Sequence, residues 1–150
     1  MIVCKNQFIQ TTTSQPTPAP ITNFTLIKSK RMNWVEAAAH CWDMGQRLAI
    51  IRDLSELRKV QDLVYTDTWL AGNDYNFEGN WVWANGSPNG VWGDFINAGG
   101  PVGMDFNWQK GSGSNHNRDD EQCMFMHGNG EFDDQDCSKD RYFVCDDGSN

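Results

Sequence analysis

The pattern of apolar and polar positions changes character twice along the chain. Thr25 to Lys28 reads as a short strand. Asn33 then opens a helix, because its side chain can cap and Glu36 stands three positions on, completing a capping box. Ala37, Ala38, Ala39, Cys41 and Met44 carry the apolar positions of that helix, and Gly45 supplies its stop. Leu48 to Ile51 is a continuous apolar run that predicts a buried strand. Asp53 caps a second helix, again with Glu three residues on at Glu56, and Leu57, Val60 and Val64 keep its apolar stripe.

From Trp69 the helical period disappears. The runs W-L-A-G-N-D from Trp69, F-E-G-N-W-V-W-A-N-G-S-P from Phe77 and V-W-G-D-F from Val91 predict short strands between tight turns. Trp81 and Trp83 flank Val82, so both indoles point to one face. Asn85-Gly86 is a turn dipeptide. Residues 90–117 show little periodicity and hold seven glycines, which predicts a long functional or mobile loop. Trp92, Phe95, Phe106 and Trp108 interrupt it, either packing the loop internally or offering ring faces to a ligand.

The last third is organised by Cys123, Cys137 and Cys145. Between them lie two short apolar runs, a turn with Gly128 and Gly130, and an acidic corner of Asp133, Asp134 and Asp136. A second acidic group, Asp119, Asp120 and Glu121, sits just upstream. Hard oxygen donors crowded among disulfide-forming residues suit a calcium loop pinned to a small β scaffold. A solvated acidic loop in a stapled domain is the plainer alternative.

Composition narrows the class. A length of 150 residues fits one domain, and 7 Trp with 8 Phe exclude a disordered chain. The net charge of −8 argues against nucleic acid and anionic membranes, which need a basic footprint. No apolar run reaches the length of a membrane span, so no membrane insertion is expected. The five cysteines include no C-x-x-C pair, which argues against a zinc ribbon and suits an oxidising compartment. A secreted or extracellular setting is therefore expected from the cysteines, although Met1 to Gln10 lack the apolar core of a signal peptide. The odd cysteine count leaves one thiol over, and Cys4 either pairs between chains or stands alone.

Residues 11–20 form a Thr/Pro-rich linker, with Pro16, Pro18 and Pro20 forbidding a helix. We expect residues 1–22 to be an extension and residues 23–150 to be the folded domain. Asn23-Phe24-Thr25 and Asn85-Gly86-Ser87 are N-glycosylation sequons.

Taken in order, W-V-E-A-A-A-H-C from Trp34 to Cys41, Gly45 with Leu48-Ala49-Ile50-Ile51, Glu56, W-L-A-G-N-D from Trp69, E-G-N-W-V-W-A-N-G-S-P from Glu78 to Pro88, Cys123, Cys137 and F-V-C ending at Cys145 resemble a C-type lectin-like domain, of invertebrate type. The resemblance runs from about Asn23 to Asp146. It implies an α+β double-loop fold with two helices, small antiparallel sheets and a long irregular loop region. It also implies the disulfides Cys41–Cys145 and Cys123–Cys137. Their loops of about 100 and about 15 residues are worth roughly 4.7 and 3 kcal/mol in the chain-entropy model.

In sugar-binding members of the resembled family one calcium is held by a Glu-Pro-Asn or Gln-Pro-Asp tripeptide, a Glu before the third cysteine and an Asn-Asp pair after a Trp. Here Glu121 stands two before Cys123, and Phe132-Asp133-Asp134 takes the Trp-Asn-Asp place. The tripeptide is absent; Ser114-Asn115 falls nearest to it. The resemblance thus implies calcium held by Glu121, Asp133 and Asp134, with Asn115, or else His116 or Asp119, in place of the tripeptide, or else a loop without metal; ligand contacts are expected from Glu121 and Asp133, with Trp108 and Trp92 offering ring faces on which a sugar could stack. Asp133 can hold calcium as an Asn does, but cannot donate to a sugar hydroxyl.

The expected function is carbohydrate binding, calcium-dependent through an atypical site, with a glycan or glycoprotein as partner. The alternative is a domain that binds a protein ligand through its long loop without calcium, since fold does not fix function. Catalysis is not expected. His40, His116 and His127 belong to no H-E-x-x-H motif, and neither a G-x-S-x-G motif nor a phosphate-binding loop occurs.

Overall fold

The computed structural model describes residues 22–75, 81–84, 92–95, 108 and 122–148. Ten elements follow one another: β1 (Phe24–Met32), α1 (Trp34–Asp43), β2 (Arg47–Leu48), α2 (Leu54–Leu63), β3 (Thr68–Asn73), β4 (Val82–Ala84), β5 (Trp92–Phe95), β6 (Cys123–Met126), β7 (Phe132–Gln135) and β8 (Arg141–Asp146). This is the expected α+β class with two helices. The strands join in one branched sheet rather than separate small ones. Its main path runs β1-β8-β3-β4-β5, with β2 on β8, and with β6 bridging β3 to β7. The pairings are antiparallel except β3 with β8, whose parallel register sets Thr68 opposite Tyr142 and Trp69 opposite Phe143.

Both helices start where the sequence places them. Asn33 accepts from the Glu36 N–H at 2.9 Å, and Glu36 returns the bond to the Asn33 N–H. Gly45 follows α1 with φ +76°, a left-handed backbone that glycine adopts without strain. Asp53 accepts from the Glu56 N–H at 2.8 Å. The Glu56 carboxylate does not return to Asp53. It turns instead to Arg52, taking its backbone N–H at 2.7 Å and its guanidinium at 2.8 Å. Arg52 also reaches the Thr22 hydroxyl.

Two sequence expectations change. The strand at Thr25–Lys28 extends to Met32, because Met32 pairs again with Arg141 of β8 after an irregularity that spans the basic residues. The run Leu48–Ile51 is buried but forms only a two-residue strand; its later backbone groups bond one at a time to Val144, the Asp146 side chain and Ala71. The expected V-W-G-D-F strand forms as Trp92–Phe95, paired to β4. The Asn85-Gly86 turn and the second sequon lie outside the described residues.

The core lies between α1, α2 and the sheet. Trp69, Trp81, Trp83, Phe132, Phe143 and Ile51 are fully buried there. Two indoles lock elements together: Trp34 donates to the Leu70 carbonyl at 2.8 Å, and Trp69 donates to the Met32 carbonyl at 3.0 Å. Gly72 is a packing requirement, since a Cβ there would lie 2.7 Å from the Met124 sulfur. Within α1 the expected apolar set divides: Ala37 and Cys41 are buried, while Ala39 and Met44 face solvent.

The disulfides are Cys41–Cys145 and Cys123–Cys137. The first ties α1 to β8. The second holds the loop whose Cys137 carbonyl accepts from the Trp34 N–H at 3.0 Å, at the start of α1. The two ends of the described domain also meet. The Asn23 side chain donates to the Asp147 carboxylate at 2.9 Å, and the Asp147 N–H donates to the Asn23 carbonyl at 3.2 Å.

Candidate ligand-binding face

The acidic corner sits on the β6–β7 hairpin. Cys123 pairs with Gln135, Met124 with Asp134, Phe125 with Asp133 and Met126 with Phe132. The turn between the strands is fixed by the Gly130 N–H on the His127 carbonyl at 2.8 Å and by Gln61, which donates to the Gly130 carbonyl at 3.1 Å.

Along β7, burial alternates. Phe132 and Asp134 are buried, whereas Asp133 and Gln135 are half-buried. Successive side chains of a strand point to opposite faces. The two adjacent carboxylates named by the sequence are therefore divided by the pleat.

On one face, Asp133 belongs to a polar chain. Its Oδ2 lies 2.7 Å from His127 Nε2. His127 Nδ1 lies 3.2 Å from Asp67 Oδ1, and Arg141 donates to Asp67 Oδ2 at 2.8 Å. The Arg141 guanidinium covers the Phe125 ring at 4.3 Å, and the His127 ring meets the same Phe edge-on at 4.6 Å. The remaining Asp133 oxygen, Oδ1, accepts from the Asp134 N–H at 2.8 Å. A neutral imidazole donates to only one of its two carboxylates; an imidazolium donates to both. Sequence reasoning named Asp133 but missed Asp67 and Arg141, which no local spacing connects to it.

On the other face lie Asp134 and an aromatic cluster. Trp108 packs 4.9 Å from Trp81 and 5.8 Å from Phe132, and Trp83 meets Phe132 at 6.1 Å. The Trp108 backbone forms a parallel bridge with Phe132. At the other end of the intervening segment, the Gln122 carbonyl accepts from the Asp74 N–H at 3.1 Å. Trp108 and Gln122, the residues that flank 109–121, thus both lie beside this hairpin. That segment includes Asn115 and Glu121, which lie outside the described residues, as does the side chain of Trp92.

Calcium takes 6–8 oxygen ligands. Asp133 has neighbours already in place, Oδ1 accepting from the Asp134 N–H and Oδ2 lying 2.7 Å from His127 Nε2. Among the described residues no group of three His, Cys, Asp or Glu side chains converges to hold a metal ion. Nearby, Asp136 accepts from the backbone N–H and hydroxyl of Ser138, which hold its carboxyl below the usual range.

A family model for the lectin C-type domain matches residues 30–147. The chain belongs to the C-type lectin domain family. This C-type lectin domain is 28% identical over 126 residues to C-type lectin domain family 4 member M of Nomascus concolor, covering 82% of this chain and 28% of that protein. It is 30% identical over 105 residues to the low affinity immunoglobulin epsilon Fc receptor of Mus musculus, covering 69% of this chain and 27% of the receptor. The chain therefore spans less than a third of the length of these relatives. Among solved structures, a calcium-independent type II antifreeze protein superposes with a TM-score of 0.66 at 24% identity, covering 83% of this chain and 85% of that one. The cow C-type carbohydrate-recognition domain of CD23 superposes with a TM-score of 0.64 at 22% identity, covering 88% and 95%. These two share the fold of this C-type lectin domain.

Proposed function

We propose that this domain binds carbohydrate where β7, Trp108 and the chain of residues 109–121 meet. The observation that supports the reading is that the two flanks of that segment, Trp108 and Gln122, are both fixed near the hairpin, through the Trp108–Phe132 bridge and the Gln122–Asp74 bond. Glu121 is the sequence neighbour of Gln122, and Asn115 lies between the two flanks. Family membership and relatives named as C-type lectins support it. Glu121, Asn115 and Asp134 are the residues that would hold calcium, and Asp133 joins them only by releasing His127. When bound, calcium supplies an oxygen-seeking centre for vicinal sugar hydroxyls. Trp108 offers an aromatic edge beside it. The side chains themselves bind and orient; no catalytic step is proposed. Residues 1–22 serve as a stalk to a domain of residues 23–150, and the two disulfides suit a secreted or extracellular setting.

Glycan-array binding of the full chain, in calcium and then in chelator, tests this reading. Binding lost in chelator and in Glu121→Ala is the expected result. Glycan binding that survives both leaves the calcium centre without a role.

A second reading is a protein ligand bound without calcium. It is favoured by the two donors already on Asp133, and by a relative whose name makes it an immunoglobulin receptor. An array blank with and without calcium supports it.

A further inference from the structure

The sequon Asn23-Phe24-Thr25 stands at the start of β1. Asn23 and Thr25 are exposed, whereas Phe24 between them is half-buried. The pleat therefore turns the acceptor amide and the hydroxyl two positions on toward solvent together. Those are the two side chains that define the motif for N-linked glycans. Beside them lies a shallow cleft of about 300 Å³, lined by Thr22, Asn23, Phe24, Lys59, Asp62 and Leu63. A first sugar on the Asn23 amide finds open space there. Phe24 and Leu63 offer it an apolar flank, and Lys59 and Asp62 offer a donor and an acceptor for its polar groups.

The folded chain has already engaged this amide. Asn23 Nδ2 donates to Asp147 Oδ2 at 2.9 Å, and the Asn23 backbone N–H donates to Asp147 Oδ1 at 3.1 Å. Thr25 is held in register opposite Cys145. A sequon fixed in this way is a poor substrate, because its nitrogen faces a carboxylate and its backbone is paired. Asp147, however, lies 124 positions downstream. At about 5–20 residues per second of synthesis, the sequon waits roughly 6–25 s for that partner as unpaired chain. The finished fold also accepts the product. An Asn amide carries two N–H bonds, and glycosylation replaces one while leaving the group neutral. The remaining N–H is enough for the Asp147 bond.

We propose that Asn23 carries an N-linked glycan, attached before β8 pairs with β1. The donor is a lipid-linked oligosaccharide diphosphate. Asn23 Nδ2 bonds to the anomeric carbon of its first sugar, and the bond from that carbon to the diphosphate oxygen breaks. The lipid diphosphate leaves with the electron pair, and one amide proton passes to a base on the transferring enzyme.

The test uses the full chain with Asn85→Gln, which leaves Asn23 as its one sequon. The chain is secreted behind a leader peptide from eukaryotic cells whose glycans stay high in mannose. Endoglycosidase H trims each glycan to a single sugar, and peptide mass spectrometry reads that sugar on Asn23. Most molecules should carry it, and Thr25→Ala should lose it. A secreted, disulfide-bonded chain with a bare Asn23 overturns the proposal. The order of events is read in vitro, with purified oligosaccharyltransferase and lipid-linked oligosaccharide. Unglycosylated folded chain should be modified about tenfold more slowly, or slower still, than the same chain reduced and unfolded, because β1 must open before attack. Equal rates on the two forms overturn the ordering.

Discussion

His127 holds Asp133 through its Nε2, at 2.7 Å, while its Nδ1 faces Asp67. The ring is thus a spacer between two carboxylates, backed by Phe125 and by Arg141 on Asp67. Replacing His127 by Ala removes the spacer and leaves Asp133 with one donor fewer. All three side chains are partly exposed, so the loss should be modest, about 1 kcal/mol in urea unfolding. The same variant frees Asp133 Oδ2. If His127 competes with a cation for Asp133, His127→Ala should show a larger rise in melting temperature on calcium addition than wild type. An identical rise in both proteins would separate Asp133 from any metal.

Gly72→Ala should destabilise by about 1–3 kcal/mol, because overfilling a packed core forces neighbours to shift. The new methyl would meet the Met124 sulfur and Cβ inside 3 Å. Shortening Met124 to Ala in the same chain should recover part of the loss. Purely additive penalties in the double variant would refute the steric explanation.

Two buried carboxyls pull the acid limb in opposite directions. Burial raises Glu56, but the hydrogen bonds from the Arg52 side chain and backbone outweigh it and hold the carboxyl below its ordinary value. The unfolded state then binds more protons, so this stability is present above the unfolded pKa, about 4.3, and is lost as pH falls through the lower folded value. Burial raises Asp146, and bonds from the Ile50 N–H, Arg47 and the Gly148 N–H only partly offset it. Its sign is reversed: as pH rises from about 3.9 through the higher folded pKa, stability falls. Urea midpoints measured from pH 3 to 7 should rise less steeply in Glu56→Gln than in wild type. A parallel profile in that variant would remove Glu56 from the acid limb.

The two disulfides should differ in what they protect. Replacing Cys41 and Cys145 by Ala opens the long loop and should cost about 2–5 kcal/mol. Replacing Cys123 and Cys137 should cost less globally, by the shorter loop. It should also loosen the start of α1, which bonds to the Cys137 carbonyl. Amide exchange at Trp34 is the discriminating signal: it should quicken in the second variant before global unfolding does.

Local chemistry was readable in the sequence. Both helix caps, the Gly45 stop and the cysteine framework rest on residues a few positions apart or on a family register. What escaped depends on partners far along the chain. The basic tail of β1 looks unlike a strand until the Met32–Arg141 pair at its far end holds it to β8. Asp133 and Asp134 read as one acidic pair, yet Phe132 is drawn inward under Trp83 and Trp108, and that sets which face each carboxylate takes. The Asp67–His127 contact joins residues 60 positions apart, which no periodicity could reveal.

The clasp between Asn23 and Asp147 has a mechanical consequence. Tension applied through both flanks would pull β1 and β8 apart from one end, a peeling geometry in which strand bonds yield singly rather than together. The load would then reach Cys145 and Cys41, whose covalent bond shields everything between them. The 19 residues from Asn23 to Cys41, at about 3.4 Å each, could release only about 65 Å of slack. A tugged domain would thus lengthen by a fixed amount, with the β6–β7 hairpin inside the covalently closed part.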